Sequence, residues 1–187
     1  ASVVVVPNQP EDEAYARQKA DEIYDFVWAR HKEFHFTGYA DEPEAAWEAM
    51  LKHPGKPCFL TDSGDNVTAG APGGNTVVLR QVLAETDYGK QILIAGITDK
   101  KLCESMLAGK QTGDHVEFDV GPEIDALSAK VHLSGTVIST GDLHNHYHDP
   151  KVVGVCWTIK LDEKPVTVVI QSYSVSFAER AQYEQAN

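Results

Sequence analysis

The chain has 187 residues, 42% of them hydrophobic, which is enough for one ordinary domain with a real core and too little for two full ones. Its 16 basic and 28 acidic residues leave a net charge of −12, which disfavours nucleic acid and anionic membranes as partners. The longest apolar runs are strand-sized, no secretory signal opens the chain, and Cys58, Cys103 and Cys156 lie in apolar segments, so the sequence reads as a cytoplasmic protein with reduced core thiols.

Val3 to Val6, four β-branched residues closed by Pro7, predicts a strand buried on both faces. Almost nothing precedes that strand, and no polar tail ends the chain, so a piece of a longer polypeptide is expected. Glu11 to Phe34 predicts one helix, with Ala16, Ala20, Ile23 and Val27 on a single apolar stripe. A second helix is expected from about Asp41, where Asp41 and Glu44 fit a capping box, to His53-Pro54-Gly55. Cys58 to Thr61 reads as a short strand. A glycine-rich stretch then leads into a helix from Thr76 carrying Val78, Leu79, Val82 and Leu83. Gln91 to Ile97 predicts a strand, and Thr98 an N-cap for a helix holding Leu102, Cys103, Met106 and Leu107.

From His115 the pattern changes to alternation. Val116 to Val120, Lys130 to Ser139, Val152 to Leu161 and Pro165 to Ser174 predict antiparallel strands, with turns at Gly121-Pro122, Gly141-Asp142, Asp149-Pro150 and Asp162-Glu163. The fold class is therefore α/β: a mixed sheet flanked by helices, with a mainly antiparallel β meander in the C-terminal third. The whole of 1–187 reads as one domain, α/β over about 1–114, β-rich over about 115–176, and ending in a helix over about 177–187. Trp28, Trp47 and Trp157 lie on apolar faces and read as packing residues.

The loop from Asp62 to Thr76 is the sharpest functional signal. It holds Asp62, Ser63, Asp65, Asn66, Gly70, Gly73, Gly74, Asn75 and Thr76 between a strand end and a helix start, where α/β folds place ligands. Its glycines can turn backbone amides toward a guest, and the amides from Gly73 to Thr76 would suit a carboxylate or an oxyanion. Asp62 and Asp65 offer acceptors for a substrate amine, a metal ligand or a metal. The loop lacks the Gly-Lys-Ser/Thr ending of a phosphate loop. A tight, self-bonded loop whose aspartates cap turns is the competing reading.

Asp62-Ser63-Gly64-Asp65-Asn66, then Gly70, then Gly73-Gly74-Asn75-Thr76 before an apolar helix, resembles the C-terminal domain of the MlrC-like (microcystinase C-like) metallopeptidases. Glu44-Ala45-Ala46, Ala95-Gly96-Ile97-Thr98-Asp99, Ala108-Gly109 with Gly113, Gly135-Thr136-Val137 and Val169-Ile170-Gln171-Ser172 follow in the order of that family. The family usually has an aspartate where this chain has Asn75. The resemblance implies one part of a two-part hydrolase, a metal-dependent peptidase or amidohydrolase acting on small peptides or amides. It also implies a zinc ion held mainly by an N-terminal domain of the same parent chain, which would be the partner of this one. On that reading 1–187 alone has little or no activity, and no catalytic residue is assigned in it. The alternative is a non-catalytic module that binds a small ligand or a protein.

Two histidine groups complete the candidates. His144, His146 and His148 alternate, so adjacent members of an extended strand share a face and could meet one zinc. The bland reading, a polar hairpin connection, is preferred there. His31 and His35 are spaced by four, and helix capping is the preferred reading for them.

Overall fold

The computed structural model describes residues 2–105, 107–145 and 151–185. It divides into two compact units, Ala1–Glu42 and Pro43–Asn187. The first holds a short 3-10 turn at Pro10–Asp12, helix α1 (Glu13–Ala29) and another 3-10 turn at His31–Glu33. The expected single helix is thus interrupted at Arg30, which leaves helical geometry at φ −114° and ψ 8°. His31 then bonds the carbonyl of Trp28 through Nδ1 at 2.6 Å, and His35 that of Glu33 at 2.9 Å. Both rings act on their local chain ends, as capping predicts. Val3 to Val6 forms no strand, and Val4 and Val6 are 81% and 82% exposed. β-branching favours extended backbone, but a strand also needs a hydrogen-bonded neighbour. Trp28 is 60% exposed rather than packed.

The second unit is built on five strands: β1 (Ile92–Thr98), β2 (His115–Val120), β3 (Val131–Asn145), β4 (Lys151–Leu161) and β5 (Val166–Gln171). Their order is β1-β5-β4-β3-β2, parallel between β1 and β5 and antiparallel elsewhere. Four helices accompany them: α2 (Pro43–Lys52), α3 (Val77–Ala84), α4 (Lys100–Ser105) and α5 (Arg180–Gln185). The mixed sheet and the α/β class match the sequence reading. Trp157, Ile159 and Leu161 of β4, with Val166, Val168 and Ile170 of β5, pack with Leu79, Val82 and Leu102 of the helices into the main core. The opposite face carries a smaller cluster of Leu143, Cys156, Val169 and Val175 with Phe177. β5 is buried on both faces, so Val166, Val168, Val169 and Ile170 are all apolar and its burial does not alternate. Among the described residues no helix is long and apolar enough to cross a membrane.

Three local expectations change. Gly141-Asp142 is not a turn, because β3 runs through it and Gly141 pairs with Cys156. The α4 cap is Asp99 rather than Thr98: its Oδ1 accepts from Leu102 N at 3.0 Å and its Oδ2 from Gly121 N at 3.0 Å. Cys58 to Thr61 is not a strand, and Phe59 is 74% exposed. Lys90 Nζ meets the His53 carbonyl at 2.6 Å and Thr98 N meets the Gly73 carbonyl at 2.7 Å. The chain between His53 and Gly73 is therefore tied to the two ends of β1 without pairing along it.

The outer face of the edge strand β2 is a polar ladder. His132 on β3 stands opposite Asp119 and bonds it through Nδ1 at 2.8 Å and Glu117 through Nε2 at 3.1 Å. Only the imidazolium donates from both nitrogens, so Asp119 first and Glu117 second raise the His132 pKa above its ordinary value. Lys130, paired with Glu123 at 2.9 Å, is the nearby cation. A group with a raised folded pKa contributes stability in full below its unfolded value, about 6.5, and loses it as pH climbs through the folded value. His132→Gln should therefore destabilise the protein toward about pH 5.5 and become neutral toward about pH 9. Urea unfolding of both proteins across that range measures it, and a difference independent of pH would contradict the imidazolium.

Candidate functional site

The loop folds upon itself through its aspartates and asparagines. Asp62 Oδ1 accepts from Gly64 N at 2.7 Å, an Asx turn. Asn66 Oδ1 accepts from Thr68 N at 3.0 Å and from the Thr68 hydroxyl at 2.6 Å, which caps a 3-10 turn at Val67–Ala69. Gly70 closes that turn with a left-handed φ of 96°. Asp65 reaches across the loop: Oδ1 accepts from Gly73 N at 2.8 Å and Oδ2 from Asn75 N at 2.7 Å. Asn75 Oδ1 in turn accepts from Val77 N at 2.7 Å, in the first turn of α3. Thr76 is fully buried; its hydroxyl donates to the Ala129 carbonyl at 2.7 Å and its amide to the Leu127 carbonyl at 2.9 Å.

The amides of Gly73, Asn75 and Thr76 therefore already have acceptors inside the chain. The carboxylate of Asp65 takes the place in which an external anion was expected. Sequence spacing carries no sign of this, because nothing in an eight-residue separation says that a side chain folds back. The loop is not sealed, however. Asp62, Ser63, Gly64 and Asn66 are exposed, and Asp65 is half-buried. Among the described residues Asp62 Oδ2 meets Asn75 Nδ2 alone, at 3.5 Å, so one oxygen of an exposed carboxylate keeps acceptor capacity.

The seat of the loop was not legible as such. Thr98 N donates to the Gly73 carbonyl at 2.7 Å, and the Ser174 hydroxyl donates to the Pro72 carbonyl at 3.0 Å. A Cβ on Gly73 would lie 2.6 Å from Val67 Cγ1 and 2.9 Å from Thr98 Oγ1, at a φ of +73°. Only glycine lets the loop approach so closely. Thr98 and Gln171 are partners at the carboxyl ends of the parallel strands β1 and β5. Carboxyl ends of parallel strands are where open α/β sheets place ligands. Gln171, fully buried, donates through Nε2 to the carbonyls of Val175 at 2.9 Å and Gly96 at 3.3 Å and to Thr98 Oγ1 at 3.0 Å. It ties both strand ends to the segment that carries Ser174. A glutamine closing an otherwise apolar strand was the available signal for this anchor.

Other chemistries find no support here. Burial pushes the Cys103 thiol up to about 12 and the Cys156 thiol up to about 11, so both stay protonated at neutral pH. Among the described residues no group of three or more His, Cys, Asp or Glu could hold a metal ion, so these residues do not assemble a metal centre of their own. His146 and His148 lie outside the described residues, and His144 sits near the end of β3.

Hydrogen bonds to charged groups contribute about 1.5–3 kcal/mol each. Asp65→Ala removes two of them, together with the closure they impose. Water can replace part of that at a half-buried position, so it should destabilise the second unit by about 2–4 kcal/mol and speed hydrogen exchange at Gly73 and Asn75. Chemical unfolding together with residue-resolved exchange measures both, and unchanged exchange at those two amides would contradict the bracing role.

A family model described as MlrC C-terminus matches residues 60–187. Among solved structures, a protein from Mesorhizobium sp. BNC1, provisionally assigned as a metallopeptidase, aligns with a TM-score of 0.66 at 19% identity. The alignment covers 92% of this chain and 34% of that one, so the present chain spans about a third of the length of its structural neighbour. At that identity the likeness concerns the fold. No curated protein matches the chain. The family match takes in the loop from Asp62, all five strands and the Gln171 anchor, and on that match the chain belongs to the MlrC C-terminus family.

Proposed function

We propose that this chain is the C-terminal part of a metal-dependent peptidase or amidohydrolase and contributes its glycine-rich loop to an active site shared with a preceding domain. The observation that carries the reading is the position of the loop. A loop braced by Asp65 stands over the carboxyl ends of β1 and β5, with Asp62 and Ser63 turned to solvent. The family membership and the metallopeptidase assignment of the structural neighbour support the same reaction class.

Within that reading the loop supplies acceptors. Asp62 would take the ammonium or amide N–H of a small peptide or amide substrate, or the N–H of a metal ligand, and so orient it. Ser63 and Asn66 would bound the same surface. Asp65, Gly73, Gly74, Asn75 and Thr76 would fix the position of those groups without touching substrate. Pre-bonded loops cost no ordering when a substrate arrives, which is how positioning lowers a barrier. The metal, zinc by family resemblance, would be held chiefly by the preceding domain and would supply Lewis-acid chemistry there.

One variant of the parent chain, together with residues 1–187 alone, separates orientation from folding. Asp62→Ala should lower kcat/KM on small linear peptides by about 10–100-fold, as losing an orienting partner does, with the unfolding midpoint unchanged. Residues 1–187 alone should show no turnover with zinc added. Turnover by this chain alone, or a parent carrying Asp62→Ala at full rate, would move the active centre elsewhere.

A further inference from the structure

The open side of β2 forms one wall of a groove. β2 is the last strand of the sheet, and among the described residues no strand pairs with its outer side. Val137 N donates to the Asp114 carbonyl at 2.9 Å, just before β2 and in its register with β3. Antiparallel ladders alternate bonded and non-bonded pairs, so Val116, Phe118 and Val120 bond β3 through their main chains. The N–H and C=O groups of Glu117 and Asp119 therefore turn toward the open side. Across a cavity of about 690 Å³ stands α4, with Lys101 and Leu102 in the lining. That volume lies within the range of ligand pockets, roughly 300–1,000 Å³. Phe118 and Leu102, both buried in the main core, give the cavity an apolar base. Asp99 joins the two walls at one end, where its carboxylate accepts from Leu102 N in α4 and from Gly121 N just after β2. An edge strand that faces a helix across such a gap can take an extended peptide as an added strand.

The same groove leads to the loop. Pro122 lines it beside Gly121, and a Cβ on Gly74 would lie 2.6 Å from Pro122 Cγ. Asn75, the residue after Gly74, meets Asp62 at 3.5 Å. We propose that an extended peptide binds along β2 as a sixth strand, and that this peptide is the substrate whose end reaches Asp62. Its identity as substrate rests on the function proposed above, to which the groove adds a subsite for the main chain. Charge selects the peptide. Lys130 is paired with Glu123, Lys100 with Glu104, and His132 with Asp119 and Glu117, whereas Lys101 has no carboxylate partner among the described residues. The favoured peptide therefore carries a carboxylate for Lys101. A second copy of this chain suits the edge less well. Antiparallel pairing about the middle of β2 would set Glu117 opposite Glu117 or Asp119 of the other copy, and like charges directly opposite destabilise a sheet.

Residue-resolved hydrogen exchange of residues 1–187 with an acetylated, amidated peptide, Thr-Val-Glu-Val-Thr, tests this. At about nine-tenths saturation the amides of Glu117 and Asp119 should exchange about tenfold more slowly, since the free fraction alone exchanges. Two further peptides carry N-methyl groups on alternate residues, one set on the valines and the other on the remaining positions. One of them should bind at least tenfold more weakly and the other as the unmodified peptide does, because only alternate amides face β2. Lys101→Glu should weaken binding about fivefold, and Thr-Val-Lys-Val-Thr should recover it. Unchanged exchange at Glu117 and Asp119 would overturn the proposal, as would equal binding of the two methylated forms. So would protection of those amides in the free chain that deepens with protein concentration, the mark of a second copy on the edge. In the parent chain, protection of β2 without cleavage of the peptide would keep the groove and remove the hydrolase reading. Cleavage at full kcat/KM by a parent carrying Lys101→Glu, with β2 unprotected, would keep the hydrolase and remove the groove.

Discussion

The carboxylate of Asp65 is the constraint on which the candidate site depends. It accepts two backbone amides at 2.7 and 2.8 Å, from residues eight and ten positions further along. Both are charge-assisted, and together they fix the loop against the start of α3. The turns at Asp62 and Asn66 are closed by local bonds, and the Asp65 bonds join that part of the loop to the residues before α3. Gly73 can touch Val67 and Thr98 only because its amide is held inward, and its carbonyl then meets Thr98 N at 2.7 Å. Asn75 gives its amide to Asp65 and accepts from Val77 N, in the first turn of α3, with its side-chain oxygen.

That constraint also sets the chemistry of whatever the loop meets. Glycine-rich turns before helices invite the expectation of an anion, since unpaired amides point outward. Here the protein carries its own anion at that place. What remains on the surface is an aspartate with an underused oxygen, a serine and an asparagine. Such a surface favours donors and cations over carboxylates. On the proposed function, such a surface suits orienting a group that donates better than stabilising negative charge.

The sheet was legible and the loop only half so, for one physical reason. Strands β2 to β5 announce themselves because each places alternate or continuous side chains in a core, and burial is written in hydropathy. β2 alternates buried and exposed along its length, and β5 is buried nearly throughout. Val3 to Val6 and Cys58 to Thr61 have the same local preference, but a ladder needs a neighbour, and hydropathy does not name one. Gly141 misleads in the opposite direction. Gly-Asp is turn chemistry, yet open space surrounds the position and β3 continues through it in register with Cys156. In the loop the residue types were evident while the direction of each amide was not. Asp99 repeats the lesson, since its carboxylate joins α4 to Gly121, 22 residues away.

Burial and exposure divide the chain in a way that composition conceals. The hydrophobic content of the sequence is ordinary, and the stripe of α1 reads as any core-facing helix would. In the second unit such residues are spent on two cores, one on each face of the sheet. In the first unit Ala16 is buried and Ala20 and Val27 are half-buried, while Tyr24, Phe26 and Trp28 are exposed. An apolar residue left exposed gains nothing from the hydrophobic effect, which at about 25 cal/mol per Å² is the main force that could order so short a segment. The second unit is thus ordered by burial on both faces of its sheet, and its loop by hydrogen bonds within the chain that need no partner.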